Sequence, residues 1–171
     1  MRKMKGSEMQ RTRQIGEYLV AAKLMEKGWY ATTFTGNVPL FDIVATNDLG
    51  KTIKVQVKTV KTGDWQFDMK HFVEIKIDST NRSQEMGEMV KLPSDLYYVF
   101  VKIDSENIMS SNFYVISAGD FQSFLVDRYQ EYLQSIEGKR PSNPESTHSA
   151  LEENEIKDFK DNWGILSRAI V

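Results

Sequence analysis

Apolar positions along the chain change their period several times, and each change marks an element. From about Ser7 to Lys27, Ile15, Tyr18, Leu19, Ala22 and Met25 recur at helical spacing. Val20, Ala21 and Leu24 widen that surface, so the spacing predicts a helix well buried over its second half. Gly28 stands where a C-terminal cap belongs. Trp29–Thr35 is aromatic and β-branched and reads as a strand. Leu40–Thr46 is an apolar run interrupted by Asp42, and Asn47–Lys51 (NDLGK) reads as a hairpin turn. Thr52–Thr59 then alternates strictly. Ile53, Val55, Val57 and Thr59 share one face of the strand, and Lys54, Gln56 and Lys58 share the other.

Further along, Trp65–Ile77 adds one or two strands. Asp78–Asp95 is polar, holds Gly87 and Pro93, and reads as a long loop. Leu96–Ile103 and Asn112–Ser117 are two more strands, and a helix is expected from Ala118 to Ile136 with Ser117 and Asp120 at its start. Residues 137–155 are polar, contain Pro141 and Pro144, and read as a linker or flexible loop. Ile156, Phe159, Trp163 and Leu166 lie at helical spacing and predict a short docking helix. The order gives an α/β (α+β) fold, a mixed sheet with helices packed against it.

Composition narrows the function classes. The 171 residues carry 22 Lys plus Arg against 24 Asp plus Glu, a net charge of −2, so contact with nucleic acid requires a local basic patch. Cysteine is absent, which excludes disulfides, thiolate zinc sites and cysteine nucleophiles. No apolar run approaches the roughly 20 residues needed to span a bilayer, and the basic N-terminus is not followed by a signal-peptide core. A cytoplasmic, membrane-free protein is the expectation.

Asp42 is the residue that breaks the pattern, because an ionised carboxylate among Leu40, Phe41, Ile43, Val44 and Ala45 is costly unless paired or bound to a cation. If the turn at 47–51 closes a hairpin, Asp42 lies beside Gln56 and Lys58. Oxygen donors with open positions suit Mg²⁺ or Mn²⁺, and a lysine beside them can orient water or stabilise phosphate charge. Glu17 is an acidic residue on the buried side of the first helix and can complete the site. His71 and His148 lack ligand spacing. Arg2, Lys3, Lys5, Arg11 and Arg13 form a basic arm that, with Lys54, Lys58 and Lys61, can supply a phosphate-binding patch. Trp65 follows the Gln56–Lys58 strand and is a candidate for facing the substrate groove.

Together, Glu17, Pro39-Leu40-Phe41-Asp42 and Gln56-Val57-Lys58, with the helix text Gly16–Ala21 and the phrase VQVKT, resemble the PD-(D/E)xK nuclease superfamily in its restriction-endonuclease-like and Holliday-junction-resolvase-like branches. The resemblance implies a restriction-endonuclease-like fold, with a mixed central sheet flanked by helices, and Mg²⁺-dependent hydrolysis of DNA phosphodiesters, Mn²⁺ substituting. It implies Asp42, Glu17, Gln56 and the main-chain carbonyl of Val57 as metal ligands and Lys58 as the catalytic lysine. Lys54, Lys61, Arg11, Arg13 and Trp65 would bind nucleic acid, and two-stranded substrates would favour a homodimer. Gln56 departs from the superfamily's usual Asp or Glu and removes one negative charge. Pro39 is displaced from its place beside the aspartate. On this resemblance residues 1–136 form the nuclease-like domain, 137–155 the linker and 156–171 the docking helix. The alternative is a nuclease-fold module that binds nucleic acid or a protein without cutting.

Overall fold

The computed structural model describes residues 6–34 and 40–167. Arg2, Lys3 and Lys5 of the basic arm, Thr35 and Pro39 lie outside them. The elements run α1 (Gly6–Glu26), β1 (Trp29–Thr33), β2 (Ile43–Asn47), β3 (Thr52–Val60), β4 (Trp65–Asp68), β5 (Val73–Asp78), β6 (Ser83–Met89), β7 (Leu96–Lys102), β8 (Asn112–Ser117), α2 (Ala118–Ser135) and β9 (His148–Leu151). Short 3₁₀ turns follow β4 and β7 and make up the segments Glu153–Phe159 and Trp163–Ser167. The class is mixed α/β, with a central mixed sheet flanked by helices, as the sequence leads one to expect. Among the described residues no helix is long and apolar enough to cross a membrane.

The chain divides into two compact units that interleave along the sequence. The first holds Met1–Trp65, Ser94–Ser117 and Glu152–Val171; the second holds Gln66–Pro93 and Ala118–Leu151.

In the first unit a five-stranded sheet has the order β1-β2-β3-β7-β8. β1, β2 and β3 form an antiparallel meander, β3 and β7 are parallel, and β7 and β8 are antiparallel. The β2–β3 turn forms where the sequence places it. Asn47 Oδ1 accepts from the backbone N–H groups of Leu49 and Lys51, and Gly50 takes the left-handed conformation at φ 77°. Val20 and Leu24 of α1 join Ile53, Val55, Val57, Val99, Val101 and Val115 in one core, with Trp163, Ile165 and Leu166 of the C-terminal turns.

The buried stripe of α1 differs from the one its apolar residues suggest. Thr12, Gly16, Val20 and Leu24 face the sheet, whereas Tyr18 and Met25 are more than half exposed. Close approach selects that face. A Cβ added at Gly16 would lie 1.9 Å from Thr59 Oγ1, so only glycine lets this turn of the helix sit against β3. The C-terminal segment is also not one helix. Asp161 adopts φ 51°, its N–H donates to the Phe113 carbonyl at 2.8 Å, and Lys160 bridges to Tyr114, which separates the two 3₁₀ turns.

In the second unit, β5 and β6 form an antiparallel hairpin with a bulge, and β4 pairs with β9. β6 lies inside the stretch that reads as a loop, because its two apolar residues, Met86 and Met89, stand three apart among polar, mostly exposed positions and give no alternation. Phe67, Phe72 and Phe121 of α2 meet edge to face, with ring centroids 5.2–6.0 Å apart. The Gln122 amide donates to the carbonyls of Phe72 (2.6 Å) and Val90 (2.7 Å). Residues 137–155, expected to be a linker or flexible loop, make specific hydrogen bonds. Gln84 donates to the Pro144 and Ser146 carbonyls, Arg140 donates to those of Ser146 and His148, and the Thr147 hydroxyl donates to Asp68 at 2.6 Å. Backbone carbonyls hold this polar stretch, which is why its composition gives no sign of order.

Candidate active site

The centre of the site follows from the β2–β3 register. Ile43 pairs with Val55, and the Asp42 N–H donates to the Val55 carbonyl at 2.8 Å, so the ladder continues one residue before β2 and sets Asp42 against Gln56. Asp42 thus stands at the mouth of the strand rather than within it. One carboxylate oxygen, Oδ2, accepts from the Val57 N–H at 2.7 Å and from the Gln56 side-chain amide. Lys58 follows two residues after Gln56 on the same face.

Burial pushes the Asp42 carboxyl above its ordinary value. The Val57 N–H, Arg13, Lys58 and Gln56 all favour the charged form but do not overcome it. Glu17 is also raised, first by burial and next by the Asp42 charge, with Arg13 opposing. The Lys58 ammonium is drawn below the usual lysine value by burial, against the pull of Asp42, with Arg13 adding to the lowering. Three ionisable groups from α1, the β2 entry and β3 therefore act on one another, and burial shifts each toward its neutral form. Perturbation of this kind, by desolvation plus named partners, is common at functional sites.

Tyr98 and Arg13 complete this neighbourhood. In the parallel register Gln56 pairs with Tyr98 and Lys58 with Phe100. The Tyr98 ring stacks on Phe100 with centroids 6.1 Å apart, and its phenol is pushed up to about 12 by burial and then by Asp42. In sequence, Tyr98 is one aromatic in a six-residue buried run, and only the strand pairing marks it.

The other candidates divide. Lys54 is engaged in a half-buried ion pair, its ammonium 2.8 Å and 3.1 Å from the two Asp95 oxygens. Lys61 is half-buried just beyond β3, and Arg11 and Arg13 are exposed on α1. Trp65 does not face a groove. It is 2% exposed, its indole N–H donates to the Lys58 carbonyl at 2.9 Å, and its ring meets Phe100 and Tyr114 edge to face. An apolar ring next to an aromatic sheet face gains more by burial than by exposure. Trp65 thus fixes the backbone of Lys58 and does not contact a ligand.

The residues named as metal donors carry oxygens, in the Asp42 and Glu17 carboxylates, the Gln56 amide and the Val57 carbonyl, though it is the Gln56 amide nitrogen that is turned to Asp42. That chemistry fits a hard divalent cation such as Mg²⁺. It is sparse in charge, since no three His, Cys, Asp or Glu side chains gather to hold a metal among the described residues.

Comparison with the curated proteins finds no match. Among solved structures, that of a bacterial homing endonuclease is similar, with 17% identity, coverage of 92% of each chain and a TM-score of 0.47. The family described as PhoPQ-activated pathogenicity-related protein matches residues 35–163, which is most of the chain, and the chain belongs to that family.

Proposed function

We propose that the protein is a Mg²⁺-dependent endonuclease of PD-(D/E)xK type that hydrolyses phosphodiester bonds in DNA, with Mn²⁺ able to replace Mg²⁺. The observation that carries this reading is the half-buried Asp42. It is fixed by the Val57 N–H and the Gln56 amide, with Lys58 on the same face and Glu17 in the same field. Burial shifts the two carboxyls up and the lysine down, and perturbation by desolvation plus named charge partners is what functional sites commonly show.

Asp42 and Glu17 would hold the metal, with Gln56 and the Val57 carbonyl as neutral donors. When bound, such a cation polarises the phosphoryl oxygen and lowers the pKa of water. The remaining work belongs to the chain. Val57 N–H and Gln56 orient the Asp42 carboxylate. Lys58, desolvated and close to Asp42, donates a hydrogen bond to a non-bridging phosphate oxygen as charge builds there, or orients the attacking water. Trp65 holds the Lys58 backbone. The protein would act in the cytoplasm, as a homodimer where both strands of a duplex are cut.

One observation favours a second reading. Gln56 brings no charge, so only two carboxylates serve the site, and the fold would then act as a nucleic-acid-binding module without cleavage. The two separate cleanly. Plasmid, single-stranded and branched DNA are incubated with Mg²⁺ or Mn²⁺, and metal binding is followed by titration. Cleavage that vanishes in Asp42→Ala and Lys58→Ala, with metal binding lost in Asp42→Ala, supports the hydrolase. Tight metal-independent DNA binding with no cleavage on any substrate refutes it in favour of the module.

A further inference from the structure

β1 alternates between the two faces of the five-stranded sheet. Trp29 and Ala31 pack on the α1 side, with Ile43, Ala45 and Val55. Tyr30 and Thr32 lie on the other side and are exposed. Strand pairing builds rows across that second face. Thr33 pairs with Ile43, and continuing that register by one residue sets Phe34 beside Asp42, which itself stands against Gln56. Phe34 is thus the cross-strand neighbour of Asp42, about 5 Å away between backbones. Tyr30 lies four residues back along the chain, about 13 Å from Phe34.

Two presented rings therefore line the open face that leads to Asp42. Tyr30 is 67% exposed and Phe34 39%. The Tyr30 phenol is hydrogen-bonded to Asp48, and the Phe34 ring stands edge to face on Phe41 with centroids 5.7 Å apart. Exposure forfeits the burial that aromatic side chains usually bring. β1 carries no charged residue that could serve a phosphate, so what this ridge offers a ligand is ring faces. Ring faces stack on other flat π surfaces, and continuity with the Asp42 row makes that surface a nucleobase. Spacing selects the form of the nucleic acid. Bases in a duplex are stacked about 3.4 Å apart with their faces covered, so rings about 13 Å apart can receive only bases that are unpaired and drawn away from their neighbours. We propose that Tyr30 and Phe34 form a stacking platform for a single-stranded stretch of DNA, which runs along β1 and delivers its backbone to Asp42. The proposal rests on the reading of the Asp42 site as a nucleic-acid cleft. It names the substrate class of that site: DNA with unpaired bases beside the scissile phosphate rather than uninterrupted duplex.

The test reads DNA affinity in EDTA and does not depend on cleavage. A fluorescent 20-nucleotide single strand and the matching 20-base-pair duplex are titrated with the whole chain as wild type, Tyr30→Ala, Phe34→Ala and Tyr30→Phe. Tyr18→Ala removes a comparably exposed tyrosine from α1 and is the control. The wild type is expected to prefer the single strand. Each β1 alanine variant is expected to weaken single-strand binding by about five- to a hundredfold, the range for losing one stacked base, and to weaken duplex binding far less. Tyr30→Phe keeps the ring and is expected to recover most of the loss, and Tyr18→Ala to cause none. Tyr30→Ala, whose ring is mostly outside the core, decides the matter should Phe34→Ala fail to fold. Unchanged single-strand affinity in Tyr30→Ala, an equal loss in Tyr18→Ala, or a wild type that binds duplex as tightly as single strand overturns the platform. A dimer that dissociates in Tyr30→Ala while single-strand affinity holds gives this face to a second copy of the chain and overturns it too. Failure of the hydrolase reading looks different. A wild type that binds the single strand through both rings but never cleaves with Mg²⁺ or Mn²⁺ refutes the hydrolase and supports the platform. Cleavage of duplex at the wild-type rate by both alanine variants supports the hydrolase and refutes the platform.

Discussion

Two aspartates, one in each unit, show how the same side chain serves opposite ends. Asp42 and Asp68 each accept one backbone N–H and one side-chain donor: Val57 and Gln56 for the first, Lys70 and Thr147 for the second. At Asp68, burial is outweighed by the Thr147 hydroxyl, the Lys70 N–H and the nearby His71 and His148, and the carboxyl lies below its ordinary value. At Asp42, burial wins over a longer set of helpers, and the carboxyl lies above it. Hydrogen bonds and nearby charge favour ionised Asp68, whereas burial disfavours ionised Asp42. A carboxyl whose charged form its neighbours favour reads as a structural fastener; one whose charged form burial disfavours is a candidate for a role beyond packing.

The sharpest way to break this comparison is to neutralise each aspartate. Asp42→Asn keeps the shape and removes the charge. Its cleavage rate on plasmid DNA is expected to fall by about 10²-fold or more, the scale for losing a charged group at a phosphoryl-transfer site. Its thermal midpoint at pH 7 is expected to be equal to or above that of the wild type. The sign follows from linkage. A carboxyl raised in the folded state binds more protons there than in the unfolded state, so ionisation costs stability as pH rises from the unfolded value, about 4, through the folded one. Any advantage of Asp42→Asn therefore disappears as pH falls toward the unfolded value. A variant that loses cleavage only because it unfolds would show Asp42 to be a fastener like Asp68.

The second unit makes the converse prediction. Gln122 is buried, and its amide serves two backbone carbonyls, those of Phe72 and Val90. Gln122→Ala leaves both acceptors without that donor and opens a cavity beside α2. A loss of about 2–3 kcal/mol in urea unfolding is expected. DNA cleavage per folded molecule should not change. A selective loss of cleavage with intact stability would move the functional boundary into this unit.

What the sequence reveals divides along the same line. Asp42, Gln56 and Lys58 are legible because a tight turn and period-two geometry bring them together within one hairpin, and both signals are local. The Gly16–Thr59 contact is not, because the buried stripe of α1 opens with Thr12 and Gly16, which carry no apolar signal, before it reaches Val20 and Leu24. Apolar periodicity points to Tyr18 and Met25, which face solvent. β6 and β9 are hidden by polar side chains whose order comes from hydrogen bonds to distant backbone. Trp65 misleads for a related reason. Its position after β3 suggests a groove, while its burial depends on Phe100 and Tyr114 far along the chain.

Asp68→Asn gives a smaller effect of opposite sign to Asp42→Asn. A cost of about 1 kcal/mol is expected at pH 7, the order of one charge-assisted hydrogen bond at a partly exposed site, with cleavage unaffected. A carboxyl lowered in the folded state contributes stability above its unfolded value and loses it as pH falls through the folded one. The gap between wild type and variant should therefore close below about pH 4. A gap that persists in acid would mean that Asp68 works through shape and not through charge.

The smallest effect concerns the one buried side-chain polar atom left without a hydrogen-bond partner among the described residues, Thr59 Oγ1. It lies in the unit with the candidate site, on the β3 face that receives Gly16. A buried hydroxyl without a partner costs about 1 kcal/mol or more on mutational scales, and valine has nearly its shape. Thr59→Val should therefore raise the thermal midpoint by about 2–4 °C, the shift expected per kcal/mol for a chain of this size. Packing alone predicts no change in cleavage. If Thr59→Val stabilises the protein and also slows cleavage, the hydroxyl belongs with Asp42 as a group kept at a cost for function, and the seat of α1 on β3 is part of the site. If it destabilises, the hydroxyl is serving the fold, and the contrast between the two units narrows to the ionisable residues alone.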